Sequence, residues 1–413
     1  MIGDSEYGQA GSGKTRLAII VSHPIQHFVP FYRALAKVDE IDLTVIYASK
    51  IGLSAYFDKD MNEEISWNMD LLSGYNYIFL EEAERIKKTS PLDINNPSVG
   101  SRLDEVKPDI VLIYGYNQVT SLRGVRWCRR NEVPAIMISD SELKGVRSRK
   151  VRMLKSIIVP AILNKFKAFL TVGDCNEEYY RHYGVQDEKL FRSPFTIDED
   201  VYRKIQLNRQ KVRAEERKTI GVSDRDIVIL TVGKINDRKR SSDIIEAAKL
   251  LESDKTFQFS IKFVVAGNGN KMEELREEAK KMELPVKFLG FINVDRLPDI
   301  YAAADIILHP SSKDPHPLVM SEAACVGLPL VVSDRVGAVG VADIARPGEN
   351  TLVFPCGDVP ALAKAIKRLA EDDKLREHMG ARSVEIFNEL DMRRSVKGLL
   401  EAVDFCLKHD NRK

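Results

Sequence analysis

The chain has almost no net charge. Its 62 Lys and Arg against 61 Asp and Glu leave a formal +1 over 413 residues, which excludes the basic profile of a nucleic-acid binder. Long apolar runs are missing too. Charge-free stretches such as Leu318 to Ser321 or Ala323 to Ser333 fall well short of the roughly 18 to 20 apolar residues that cross a bilayer. The polar start MIGDSEYGQAGSGKTR has no apolar h-region, so no secretory signal is expected and the cytoplasm is the expected location. Cysteine is scarce: Cys128, Cys175, Cys325, Cys356 and Cys406 are scattered and never spaced as CxxC. That pattern argues against a disulfide framework and a zinc site, leaving reduced, mostly packing thiols.

What is present is an ordinary globular balance, 44% hydrophobic and 30% charged, at a length that calls for two domains. Short apolar runs alternate with helical stretches, the signature of parallel sheets with crossover helices. One set comprises Leu17 to Val21, Leu43 to Tyr47, Tyr77 to Leu80, Ile110 to Tyr114, Ala135 to Ile138 and Phe169 to Val172, followed by Ser193 to Tyr202. A second comprises Ile227 to Val232, Ile261 to Ala266, Val286 to Leu289, Ile306 to Leu308, Leu330 to Val332 and Leu352 to Phe354. Continuous Val/Ile/Leu runs mean strands buried on both faces, hence two doubly wound α/β domains. The charged segment Arg203 to Lys218 reads as the hinge, and helices are expected from Val359 to the end. Ligands of such sheets bind beyond the strands' carboxyl ends, so the site belongs in the cleft between the domains.

Gly8 to Thr15, GQAGSGKT, satisfies the P-loop pattern, yet only seven residues precede it and a strand comes directly after. A phosphate-cradling loop needs a strand before and a helix after. A flexible amino terminus is therefore expected, and an ATPase or phosphate-driven switch is the rejected alternative.

The richest loop is HPSSKDPHPLVMSEAACVGLPLVVSD, His309 to Asp334, where Asp314 and Glu322 stand eight apart. Pro317 suits the first turn of a helix, so Leu318 to Val326 is expected to be one, its amino end facing the cleft. Free N–H groups there attract phosphate, and Glu322, one turn further in, reaches ribose hydroxyls. In TVGKINDRKRSSDIIEAAKLL, Thr231 to Leu251, a strand ends in Gly233 and leads into a cationic loop. Lys234 and Lys239 there are placed to neutralise a diphosphate and stabilise it as a leaving group; Arg238 and Arg240 read as solvated surface.

Together with VVAGNGNKMEELREEA, VKFLGFINVDRLPDIYAAADIILHPS and GENTLVFPCGD, these loops closely resemble the carboxyl-terminal half of the retaining glycosyltransferases of family four. The resemblance implies the GT-B fold: two doubly wound, Rossmann-like α/β domains facing across a cleft. It implies a polysaccharide-type hexosyltransferase that uses a nucleoside-diphosphate sugar, retains anomeric configuration, and glycosylates a hydroxyl of a glycan or lipid-linked acceptor. Lys234 and Lys239 map onto the cations that hold the donor diphosphate, Asp314 onto the sugar contact and Glu322 onto the ribose contact, with Asp314 and Lys239 as the candidate catalytic pair. No metal or cofactor is expected, in keeping with a chain lacking DxD at a strand end, and no nucleic acid. Two positions depart from the family: Asp314 stands where Glu is usual, and Pro317 replaces a Gly, leaving the amides of Leu318 and Val319 with His316 as a compensating donor. The expected limits are 1–15 for the flexible terminus, 16–205 for the acceptor-side domain, 206–385 for the donor domain and 386–413 for a carboxyl-terminal helix. A sugar-nucleotide epimerase of the same fold and a noncatalytic sugar-nucleotide sensor are the alternatives.

The amino-terminal half resembles the family more weakly. In SHPIQHFVPFYRAL, Ser22 to Leu35, His23, Gln26 and His27 are candidate acceptor-side residues, as is Asp140 in SDSE. Between Lys144 and Lys167 lie eight basic residues and no acidic one, interleaved with apolar residues around Pro160. This segment is a candidate for weak, salt-sensitive contact with an anionic membrane surface, without insertion.

Overall fold

The computed structural model describes residues 13–408 apart from 59, 62, 146 and 147. The first sheet takes β1 (Thr15–Val21), β2 (Ile41–Tyr47), β5 (Asn76–Phe79), β6 (Ile110–Tyr114), β7 (Ala135–Ser139), β8 (Ala168–Thr171) and β9 (Leu190–Arg192); a separate hairpin pairs β3 (Tyr56–Asp58) with β4 (Glu63–Ile65). Strand order is β5-β2-β1-β6-β7-β8-β9, parallel throughout. The second sheet comprises β10 (Ile227–Val232), β11 (Ile261–Ala266), β12 (Val286–Gly290), β13 (Ile306–His309), β14 (Leu330–Ser333) and β15 (Thr351–Phe354). It is also parallel, in the order β12-β11-β10-β13-β14-β15.

Each sheet is buried on both sides, which is why its strands read as unbroken apolar runs. Leu17, Ile19 and Val21 enter one core while Ala18 and Ile20 enter another. The last helix, Met392–Lys408, returns to the first domain, where Leu399, Ala402, Val403 and Cys406 complete its core. Burying Leu399 and Val403 contributes on the order of 2 kcal/mol each. Gly398 permits the close approach, since a Cβ there would stand 2.0 Å from the Arg192 carbonyl.

The expected hinge is not a linker. Residues 203–218 fall in two helices, Glu199–Leu207 and Arg209–Thr219, and Tyr202 already packs into the second domain's core. Arg209, Arg213 and Arg217 recur every four residues and so share one helical face. They donate to the carbonyls of Ala303 and Ala304, and Arg213 and Arg217 pair with Asp305. The charged run is an inward-facing clamp, and the chain crosses between domains just after β9.

Gly8 to Ser12 of the P-loop pattern lie outside the described residues, but Thr15 opens β1. Lys14 leads into a strand, not a helix. Lys14→Ala is therefore expected to change no nucleoside-triphosphate hydrolysis; a phosphate-release assay that lost its signal in this variant would reinstate the phosphate loop. Among the described residues, no helix is long and apolar enough to cross a membrane.

Candidate functional site in the interdomain cleft

At the carboxyl end of β10 the chain turns through Gly233 at φ +130°, against the turn after β11. A Cβ on Gly267 would lie 1.8 Å from the Gly233 carbonyl, and one on Gly269 2.2 Å from that of Ile235. Only glycines let these two loops nest, and the nesting places Lys234 and Lys239 at the cleft. The loop after β13 then brings Asp314 to Lys239. The helix Leu318–Val326 starts from Pro317 and stops at Gly327 in the left-handed conformation; its first amides, of Leu318 and Val319, precede the intrahelical ladder.

The candidate groups meet, but they are already engaged. Lys239 donates to Asp314 Oδ2, and His309 Nε2 lies 2.8 Å from the same oxygen. Burial pushes the Asp314 carboxyl up; the hydrogen bond from His309 and the charge of Lys239 outweigh it and hold the carboxyl well below its ordinary range. Burial lowers Lys239, with Asp314 opposing, and lowers His309. Lys234 reaches across the cleft to Asp58 Oδ1 and Oδ2, both at 3.0 Å, and to Asp60 Oδ2 at 3.1 Å. The β3–β4 hairpin is thus drawn over the second domain. Glu63 accepts from Asn268 at 2.8 Å, and the Ser66 carbonyl accepts from Asn293 at 2.6 Å. In place of two free cations, each lysine has a carboxylate partner.

Glu322 accepts from Tyr301 at 2.6 Å, and the Tyr202 phenol stands beside it. Burial raises its carboxyl above the usual range, and the two phenols oppose the rise. It lines a cavity of about 190 Å³ together with Leu318 and Tyr202 from the second domain's side and Gln26 and His27 from the first. His316 is buried, and its Nδ1 has no hydrogen-bond partner; burial lowers it to about 4, with Asp140 opposing. Such an orphaned polar atom is costly unless something occupies it. Asp140 stands where the fields of His316, Asp314 and Lys313 converge, and loss of water there pushes its carboxyl up.

Of the acceptor-side candidates, Gln26 and His27 join that cavity. His27 rests edge-on against Phe28, and burial drops it to about 3. His23 Nδ1 is 2.8 Å from Ser22 Oγ, and burial drops it to about 4. Both rings are therefore neutral near pH 7. Arg240 is paired with Asp243 rather than solvated.

Sequence reasoning missed His309, Asp58, Asp60, Tyr202 and Tyr301. His309 had a signal, since it ends a strand at the edge where sites form. Asp58 and Asp60 had none, lying far along the chain in a hairpin without a strand pattern. Among the described residues, no group of three His, Cys, Asp or Glu side chains comes together to hold a metal.

Residues 212–385 match the family model of the glycosyl transferases group 1. An uncharacterised glycosyltransferase of Methanocaldococcus jannaschii is 33% identical over 167 residues, covering 40% of each chain. The alpha-D-kanosaminyltransferase of Streptomyces kanamyceticus is 32% identical over 170 residues, covering 40% of this chain and 42% of that one. The chain thus spans about two fifths of the length of these relatives. Among solved structures, Anabaena HepE in complex with UDP superposes with a TM-score of 0.70 at 16% identity, over 95% of this chain and 99% of that one.

Proposed function

We propose that this chain, which matches the glycosyl transferases group 1 over residues 212–385 and is GT-B in fold, transfers a hexose from a nucleoside-diphosphate sugar to an acceptor hydroxyl with retention. The acceptor is a glycan or a lipid-linked saccharide. The observation that carries the reading is the convergence of Lys234, Lys239, Asp314 and the amino end of Leu318–Val326 at one strand edge. The similarity to a kanosaminyltransferase and to a UDP complex supports a sugar nucleotide as donor.

In this reading Lys234, Lys239 and the amides of Leu318 and Val319 take the diphosphate, while Glu322 accepts from the ribose hydroxyls. His316 offers its unpaired ring nitrogen, and Asp314 accepts from the sugar. The bond from the anomeric carbon to the diphosphate oxygen breaks as that to the acceptor oxygen forms on the same face. The acceptor proton passes to the departing phosphate. The charge on the leaving group is met by fixed cations and amides, the arrangement that stabilises a developing anion most.

The test is a panel of nucleotide sugars screened for thermal stabilisation, then product analysis. Release of nucleoside diphosphate that depends on an added saccharide acceptor supports transfer; conversion of the donor sugar without an acceptor refutes it. Two variants probe the site. Asp58→Asn removes the carboxylate matched to Lys234, so calorimetry with UDP is expected to show binding about twofold to fivefold tighter; weaker binding would assign Asp58 to the donor. Glu322→Gln keeps shape but loses charge and bidentate acceptance. It is expected to raise the donor KM with kcat nearly unchanged.

A further inference from the structure

The helix Arg149–Leu163 carries its apolar face outward. Met153 is 67% exposed, Ile157 69%, Leu154 58%, and Val151 and Ile158 44% each. At about 100° per residue these five side chains share an arc of about 160°. Only Val159 and Leu163, on the opposite side, are buried. A surface helix ordinarily turns its apolar stripe to the core, so this one is reversed. Its first ten residues are exposed save Lys155, and the exposed set includes Arg149, Lys150 and Arg152. The helix runs on through Pro160, so its outward face is continuous where the sequence suggested a break.

Its position is as telling as its face. It comes after β7 through a loop that touches the donor domain: Lys144 Nζ donates to the carbonyls of Asp334 at 3.2 Å and Val336 at 2.7 Å. Three residues after that loop's Gly145, which faces Lys313, Ser148 caps the helix. The apolar arc therefore begins at the rim of the cleft.

We propose that this helix docks the chain on an anionic lipid bilayer, its apolar arc entering the headgroup boundary and its cations pairing with lipid phosphates, so that the cleft mouth faces the membrane. Charge complementarity selects this occupant. The exposed cations Arg149, Lys150 and Arg152, in a segment without an acid from Lys144 to Lys167, suit an anionic surface, whereas a two-fold contact with a second copy would set that patch against itself. The exposed arc revises the expectation of weak, salt-sensitive contact without insertion, because salt screens the cations but not the apolar burial. The direction in which the cleft points has functional meaning only if the cleft is the transfer site; the docking itself does not depend on it.

The test is flotation of the full chain with phosphatidylglycerol–phosphatidylcholine vesicles, beside vesicles of phosphatidylcholine alone. Binding is expected to the anionic vesicles, weakened but not abolished at about 1 M salt. The double variant L154Q/I157Q, altered only at exposed positions, is expected to lose at least about tenfold in binding, with thermal stabilisation by UDP unchanged. Equal flotation of the variant, or none by the native chain at low salt, overturns the proposal. So does a native dimer that this variant converts to a monomer without any flotation, an outcome that gives the arc to a second copy. Flotation without stabilisation by UDP would refute the donor reading and leave the docking standing.

Discussion

Lys239→Ala is expected to lower kcat by about a hundredfold to a thousandfold, the usual scale when a preorganised group facing a developing anion is lost. It should also weaken binding of the nucleoside diphosphate. The structure adds a second consequence. Lys239 is the cationic partner of Asp314, and its removal leaves that carboxylate half-buried with His309 alone. The Asp314 carboxyl should then move up toward its ordinary range, since the lysine's charge is among the forces holding it low. Steady-state kinetics and calorimetry with UDP check both effects; unchanged rate and affinity would remove Lys239 from the donor site.

Asp314→Asn is the complementary case. Asparagine keeps one acceptor oxygen but loses the charge and the second oxygen to which the proposed function gives the orienting of the sugar. A sugar displaced by about an ångström leaves the near-attack geometry, so kcat should fall roughly a hundredfold. UDP lacks the transferred hexose and, in the proposed function, competes with Asp314 for Lys239. Its affinity should therefore stay the same or rise as kcat falls. A large loss of UDP affinity would mean that Asp314 supports the diphosphate loop instead of the sugar.

These predictions combine what could be read from the sequence with what could not. The strand runs were legible because a parallel sheet buried on both faces leaves no polar interruption: Leu17 to Val21 and Ile227 to Val232 both fall within strands. Lys234, Lys239 and Asp314 were legible as residues of one sheet edge because each lies beyond a strand end, and parallel strands bring such ends together. Their pairing was not. The contact between Lys239 and Asp314 spans 75 residues and that between Lys234 and Asp58 spans 176, distances at which no local pattern operates. The strands Tyr56–Asp58, Glu63–Ile65 and Leu190–Arg192 are three residues each, too short to show alternation. The arginines at four-residue spacing in Arg209 to Arg217 gave no sign of an inward face because their acceptors are mainly backbone carbonyls, which have no sequence signature. The apolar positions of Arg149–Leu163 were visible, but periodicity does not say on which side of a helix the protein lies.

The claim on which the rest turns is same-face transfer from a nucleotide sugar. Proton NMR of the glycosidic product, with a donor chosen by thermal stabilisation, tests it most directly, through the coupling at the anomeric carbon. The account predicts a product with the same anomeric configuration as the donor. A product of opposite configuration would contradict it, even with Lys239 and Asp314 shown to be essential.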